Sequence, residues 1–262
     1  MLKQRLIPVL FIKNGLIVRS EDFQYHKIIG NVVNEVKRYN EWDVDELIYI
    51  DISREKTYDS RRNDHKVKAV SSIREILELV SKECFMPLTF GGGIRSFNEI
   101  SFLLSNGADK VVLNSLLHEN LCEVKKAISV YGSQAIVACI DYRIINQQHH
   151  FYSNYGEKQL PFKGFEDIIG YVESVGCGEI FLNSMDHDGM GEGYDIASIK
   201  TVVEMSNLPV VACGGAGAVS DFEELAQINS LSGLAAGNMF HFTENIYPRS
   251  KKILKQKNIN VR

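Results

Sequence analysis

Eight short, almost wholly apolar runs recur along this chain: Arg5–Leu10, Glu46–Ile50, Pro87–Phe90, Lys110–Leu113, Ala135–Ile140, Glu179–Leu182, Pro209–Ala212 and Gly233–Ala236. Such runs read as strands buried on both faces, as in a parallel sheet. Most are separated by stripes of helical period. Val32, Val33, Val36 and Tyr39 form the first, and Ile73, Ile76, Leu77 and Val80 the second. Further stripes are Ile100, Leu103 and Leu104; Val124 and Ile128; Ile168, Ile169 and Val172; Ile199, Val202 and Val203; and Phe222, Leu225 and Ala226. Strand–helix alternation of this kind predicts an α/β protein with a (β/α)8 TIM barrel. A doubly wound open sheet would carry G-x-G-x-x-G after its first strand, and none is present. The 262 residues are the length of one such barrel, so a single domain over 1–262 is expected.

The chain also repeats itself. Gly91-Gly-Gly-Ile-Arg-Ser-Phe-Asn-Glu99 matches Gly215-Ala-Gly-Ala-Val-Ser-Asp-Phe-Glu223, and at the same offset Asn114 matches Asn238. Each copy places serine three residues before glutamate, which predicts two capping boxes: Ser96 with Glu99, and Ser220 with Glu223. Glu46-Leu-Ile pairs with Glu179-Ile-Phe, and Phe11 pairs with Asp141. The pattern is that of two fused half-barrels. Two stretches stand outside it. Ser53–Lys68 is a long polar connection after the second strand, and Ile144–Phe162, with His149, Tyr152, Tyr155 and Gly156, has the makings of a hairpin flap.

Composition narrows the function. The net charge is −4 and no basic stripe occurs, which argues against nucleic-acid binding. No apolar run approaches the ~18 residues of a membrane span, and Met1-Leu-Lys-Gln-Arg leads straight into a strand without a signal-peptide core. Cys84, Cys122, Cys139, Cys177 and Cys213 are scattered and include no C-x-x-C, so all are read as reduced thiols of a cytoplasmic protein. The histidines lack ligand spacing; His149-His150 is read as a solvated turn, and neither metal nor cofactor is expected.

In this fold, chemistry gathers at the C-terminal ends of the strands. Asp51 follows strand two, Gly91-Gly92-Gly93 strand three, and Asn114-Ser115 strand four. Asp141 ends strand five. Asn183-Ser184-Met-Asp186-His-Asp188-Gly189 follows strand six, Gly214-Gly215-Ala-Gly217 strand seven, and Gly237-Asn238 strand eight. Backbone N–H groups of glycine loops favour anions. Two phosphate sites are therefore expected: Gly92 and Gly93 with Asn114 and Ser115, and Gly214 and Gly215 with Gly237 and Asn238. Asp141 is a candidate general acid or base, or else a structural carboxylate paired with Arg143 or a backbone amide. Asp51, Asp186 and Asp188 are further candidates. The repeat puts Asp141's counterpart at position 11, where Phe11 cannot move a proton. At the opposite end, Arg5, Glu46, Lys110 and Glu179 begin four strands and must face one another, which by itself reads as a stabilising ring.

Several motifs are specific: Phe90-Gly-Gly-Gly-Ile94, Gly107-Ala-Asp-Lys-Val111, Gly132-Ser-Gln-Ala135, Asp186-His-Asp-Gly189 with Gly193-Tyr-Asp195, Cys213-Gly-Gly-Ala-Gly217, and Phe240-His-Phe242. With them the chain resembles, over essentially its full length, the HisF-type cyclase subunit of imidazole glycerol phosphate synthase in the HisA/HisF barrel family. The resemblance implies a lyase of histidine biosynthesis that docks a HisH-like glutaminase beneath the barrel and receives ammonia through it. Arg5, Glu46, Lys110 and Glu179 then match the family's ammonia gate, and the two glycine sites match those holding a bisphosphate substrate. The family's catalytic carboxylates end strands one and five. Asp141 matches one and Phe11 replaces the other, which leaves Asp51 or Asp186 as the candidate second group. Arg19 stands where the family has a lysine, and Ser53–Lys68 is longer than usual.

The chain is also similar to HisF-like proteins of surface-polysaccharide gene clusters, through Glu83-Cys-Phe-Met-Pro-Leu88 and Leu182-Asn-Ser184. Those are thought to work with a HisH-like glutaminase and a sugar amidotransferase. The expectation is an ammonia-channelling subunit with an incomplete acid/base pair. A working cyclase and a non-catalytic phosphate-binding barrel are the alternatives.

Overall fold

The computed structural model describes residues 3–21, 25–54, 58, 72–241 and 245–262. Most of the connection 53–68, including Arg61, Arg62 and Asp64, lies outside them, as does Phe242. The elements run β1 (Arg5–Lys13), β2 (Leu16–Glu21), β3 (Tyr25–Asn31), α1 (Val32–Glu41), β4 (Leu47–Asp51), α2 (Ile73–Glu83), β5 (Leu88–Gly91), α3 (Phe97–Ser105) and β6 (Lys110–Leu113). They continue with α4 (Ser115–Glu119), α5 (Leu121–Tyr131), β7 (Ile136–Ile145), β8 (Gln148–Ser153), β9 (Lys158–Gln159), α6 (Phe165–Val175), β10 (Glu179–Ser184), α7 (Ile196–Met205), β11 (Val210–Cys213), α8 (Val219–Leu225), β12 (Gly233–Ala236) and α9 (Ile246–Gln256). Parallel pairing runs β1–β4–β5–β6–β7–β10–β11–β12 and returns to β1, so eight strands close a barrel with helices between them. This is the expected (β/α)8 fold.

Strand pleat sorts each apolar run into two layers. One set, including Leu6, Leu47, Ile136 and Leu234, packs outward under the helices. The other, including Ile7, Val9, Ile48, Val112, Val137, Phe181, Val211 and Ala235, fills the barrel interior. The helices open on side-chain caps: Asn31 accepts from the Asn34 N–H (3.0 Å), Ser72 from Glu75 (3.2 Å), Ser96 from Glu99 (3.3 Å) and Asp195 from Ser198 (3.1 Å).

Half of the Ser96–Glu99 box forms: Ser96 Oγ accepts from the Glu99 N–H, while Glu99 Oε2 accepts from the Arg95 N–H (2.6 Å), one residue before the cap. The Ser220–Glu223 box does not form. Helix α8 starts at Val219, which leaves Ser220 inside its first turn; Asp221 reaches back to the Gly217 and Ala218 N–H groups (both 2.8 Å). Glu223 pairs instead with Lys257. The helix openings of the two halves therefore correspond at Ser96–Glu99 and Ala218–Asp221, two residues before the register in which the sequences match.

Two hairpins stand on the C-terminal end of the barrel. β7–β8 turns through Asn146 and Gln147, both at positive φ (51° and 63°), and is the expected flap. His149 and His150 lie in strand β8 rather than in a turn, and His149 packs on Phe165 at 4.4 Å with Nε2 2.9 Å from Ser198 Oγ. The second hairpin, β1–β2, was not expected. It turns on Asn14 and Gly15 at φ 52° and 86°, the backbone that an Asn-Gly pair adopts most readily. The last helix, α9, likewise had no stripe assigned. No helix among the described residues is long and apolar enough to cross a membrane.

Candidate active site

The inward column of each strand carries the site. On β6 it reads Lys110, Val112, Asn114; on β7 Val137, Cys139, Asp141; on β10 Glu179, Phe181, Asn183. One end of the barrel therefore presents charges and the other presents Asn114, Asp141 and Asn183 side by side, with apolar residues between. Phe11 lies on the inward column of β1, above Ile7 and Val9, and faces the same mouth.

At the charged end the ring closes. Arg5 pairs with Glu46 and with Glu179, and Lys110 Nζ lies 3.1 Å from Glu46 and 2.8 Å from Glu179. Thr89 Oγ1 donates to Glu46 at 2.8 Å. Both carboxylates are buried. Burial works to raise the Glu46 pKa, but Arg5, Lys110 and the Thr89 hydrogen bond outweigh it and hold that carboxyl below its ordinary range. The four residues thus set two positive against two negative side chains at this end of the barrel.

At the mouth, both oxygens of Asp141 are engaged. Asn114 Nδ2 donates to Oδ2 (2.9 Å), Asn183 Nδ2 to Oδ1 (2.9 Å), and the Cys139 thiol lies 3.5 Å from Oδ1. Burial raises the Asp141 pKa while the Asn183 and Cys139 hydrogen bonds pull it back, leaving a net upward shift. Its partners are therefore neighbouring strand ends, not Arg143, which lies 3.9 Å from Asp186. Asn183 and Cys139 were not singled out for this role. The signal was their position: Asn183 is beside Asp141 in register, and Cys139 is two residues before it on the same face.

Asp141, Phe11, Asp51, Gly92, Gly93, Asn114 and Ser115 line one cavity of about 490 Å³. Asp51 is buried there, accepting from the Ser53 N–H (2.9 Å) and the Tyr58 hydroxyl (2.5 Å). A second lobe of about 440 Å³ shares Asp141 and Asn183 and is bordered by Lys13, His26, Arg54 and Arg143. Asp186 lies elsewhere: it accepts from the Ile144 N–H (2.8 Å) at the base of the flap and lines neither lobe. Ser115 Oγ accepts from the Asn154 N–H of the flap (2.9 Å).

Gly214, Gly215, Gly237 and Asn238 line a separate cavity of about 230 Å³ with Asp188. The glycines are needed for close approach as well as for any anion. Gly92 (φ 91°) and Gly214 (φ 95°) would place a Cβ 2.0 Å from the Asp51 carbonyl oxygen and 2.5 Å from that of Ser184. Asn238 Nδ2 donates to the Ser20 carbonyl (2.6 Å), tying this cavity to the first hairpin. A Cβ at Gly237 would meet Phe11 Cε2 at 3.4 Å, so the Phe11 ring stands at the boundary between the two cavities. A ligand spanning both must pass over it. No group of three or more His, Cys, Asp or Glu side chains able to hold a metal occurs among the described residues.

Asp188 is buried, and its Oδ2 has no hydrogen-bond partner among the described residues. Burial, the Asp141 charge and, in the opposite sense, the Gly189 N–H set its pKa at about 7; Cys213 and Tyr194 are the other titratable groups that feel it. An acid raised in the native state holds its proton more tightly there. Stability is then greatest below the unfolded value near 3.8 and falls as pH rises toward about 7. Between pH ~5 and ~8 the chain is expected to lose roughly 2–3 kcal/mol, and Asp188→Asn to flatten that slope in urea titrations. Parallel slopes would remove Asp188 as its source.

The family model described as "Histidine biosynthesis protein" matches residues 5–245. Proteins named imidazole glycerol phosphate synthase subunit HisF from three Staphylococcus aureus strains, bovine RF122 / ET3-1, JH9 and MRSA252, are each 35% identical over 263 aligned residues, covering 100% of both chains.

Proposed function

This chain belongs to the histidine biosynthesis protein family of HisA/HisF barrels, and from that premise we propose that it is the ammonia-conducting synthase subunit of a glutamine amidotransferase complex. The observation that carries the reading is a closed charge ring and apolar lumen combined with Phe11 where the half-barrel repeat calls for a second carboxylate. Neutral ammonia crosses an apolar lumen at far lower cost than a charged ion. A HisH-like glutaminase beneath the ring supplies it. At the mouth Asp141 lacks an opposing acid at position 11, so the cyclase step is not completed. The final acceptor is a sugar of a surface polysaccharide, amidated by a separate sugar amidotransferase; the stretches Glu83–Leu88 and Leu182–Ser184 support that assignment. The glycine cavities take a phosphorylated small molecule, with Asn114 and Ser115 at one end and Asn238 at the other.

A working cyclase of histidine biosynthesis is the second reading. It is favoured by Asp51, which lines the same cavity as Asp141, and by the full-length identity to subunits of that name. Ammonium-driven turnover of the HisF-type bisphosphate substrate by the purified chain separates the two. Free ammonium bypasses the glutaminase, so only the barrel is tested. The conduit reading expects no turnover above background; turnover would transfer the chain to the cyclase reading.

A further inference from the structure

The inward columns of the barrel continue past Phe11 and Asp141. Two residues further on, β1 carries Lys13 and β7 carries Arg143, and the repeat that pairs Phe11 with Asp141 pairs these two cations as well. Strand pleat returns alternate residues to the same side, and β1 and β7 stand on opposite walls of the barrel. Arg54 follows Ile52, which packs on the interior cluster, by the same step of two. Lys13, Arg54, Arg143 and His26 of the first hairpin all border the lobe of about 440 Å³. Asp141 is the one acid lining it among the described residues, and both its oxygens already accept from the amides of Asn114 and Asn183. Three fixed positive charges therefore meet one negative charge here, in a chain whose net charge is −4. The cations feel one another: burial lowers the His26 pKa, and the Lys13 charge lowers it further. At the rim, Arg54 pairs with Glu157 (2.7 Å), and Arg143 lies 3.9 Å from Asp186, all four side chains being more than a third exposed. Exposed pairs of this kind hold weakly, so both guanidiniums can turn to a ligand. None of the glycines of the two expected phosphate sites borders this lobe.

We propose that the lobe is an anion subsite, separate from both glycine cavities, that binds the carboxylate of an acidic sugar. The forks of Arg54 and Arg143 match a planar carboxylate in two-point contacts, and Lys13 adds a point charge. The Tyr155 ring, 40% exposed and part of the same lining, offers an apolar surface to the carbons of a sugar ring. The assignment rests on the reading of the glycine cavities as phosphate sites and deepens it. The phosphorylated molecule held there carries a carboxylate as well, which distinguishes it from a bisphosphate with a neutral centre.

The test compares two probes on the full chain by isothermal titration at constant ionic strength: glucuronic acid 1-phosphate and glucose 1-phosphate, which differ only in the carboxylate. The acidic sugar phosphate is expected to bind about tenfold tighter or more, the gain of a charge-assisted contact. Lys13→Met and Arg143→Met are each expected to remove most of that gain while changing glucose 1-phosphate affinity less than twofold. Arg143→Lys, which keeps the charge without the fork, is expected to retain part of it, and it replaces Arg143→Met should the latter not fold. Equal affinity for the two probes, or a carboxylate gain untouched by the substitutions, would overturn the proposal and leave the phosphate reading standing. Binding of the acidic probe with none of glucose 1-phosphate would keep the subsite and count against the phosphate reading alone.

Discussion

Phe11→Asp is expected to raise ammonium-driven turnover of the HisF-type bisphosphate substrate by about 10²–10⁴-fold over the wild-type chain, the contribution of one positioned acid/base group. The physical basis is local. Phe11 lies at the mouth on β1 and lines the same cavity as Asp141 and the first glycine site, while its ring touches the edge of the second. A carboxylate there would restore a proton-transfer group facing Asp141 and would clear the boundary between the two cavities. The exchange removes a side chain that is 7% exposed, so a stability loss of about 3–5 kcal/mol is expected with it. Phe11→Asn is the control: it opens the same space without a titratable group and is expected to stay silent. A silent Phe11→Asp that folds and binds phosphate would mean that the site has diverged beyond position 11. Equal gains in both variants would point to space rather than proton transfer.

The second large effect concerns the ring beneath the lumen. Glu46 contacts Arg5, Lys110 and Thr89, and is 2% exposed. Glu46→Ala leaves two half-buried cations to share Glu179 and is expected to destabilise the chain by about 2–4 kcal/mol in denaturant titrations. Glu46→Gln keeps an acceptor for Thr89 and Arg5 and should cost less. Replacing all four ring residues by apolar side chains of similar volume separates structure from gating. Buried ion-pair networks exchanged as a whole are often neutral or stabilising, so this variant is expected to fold, yet to couple a glutaminase poorly. Intact coupling with an apolar ring would reduce the four charges to a structural role.

Much of this was legible in the sequence because the governing patterns are local. Apolar runs with helical stripes between them dictate a barrel, and inward positions follow from strand pleat. Glu46 and Glu179 stand at equivalent strand starts, so the ring could be read without coordinates. What escaped was set by register or by contact. The second half opens its helix on Ala218 and Asp221 because α8 begins at Val219, and a serine–glutamate spacing cannot reveal where a helix starts. Asp186 and Asp188 are two residues apart and looked alike. Backbone geometry turns the first toward the flap and buries the second beside the glycine cavity. Asn14-Gly15 carries a strong hairpin signal, but it falls outside the period of the barrel strands and so has no place in the repeat. The clamp on Asp141 depends on which neighbours a strand acquires, and in a parallel barrel those come from distant parts of the chain.

The conduit account is tested most directly by titrating a HisH-like glutaminase with this chain and following glutamine hydrolysis. The account predicts a stable complex, with hydrolysis accelerated as the barrel saturates the partner, and acceleration lost when Lys110 or Glu179 is replaced by alanine. A glutaminase that neither binds nor responds, or one that responds equally to the ring variants, would contradict it.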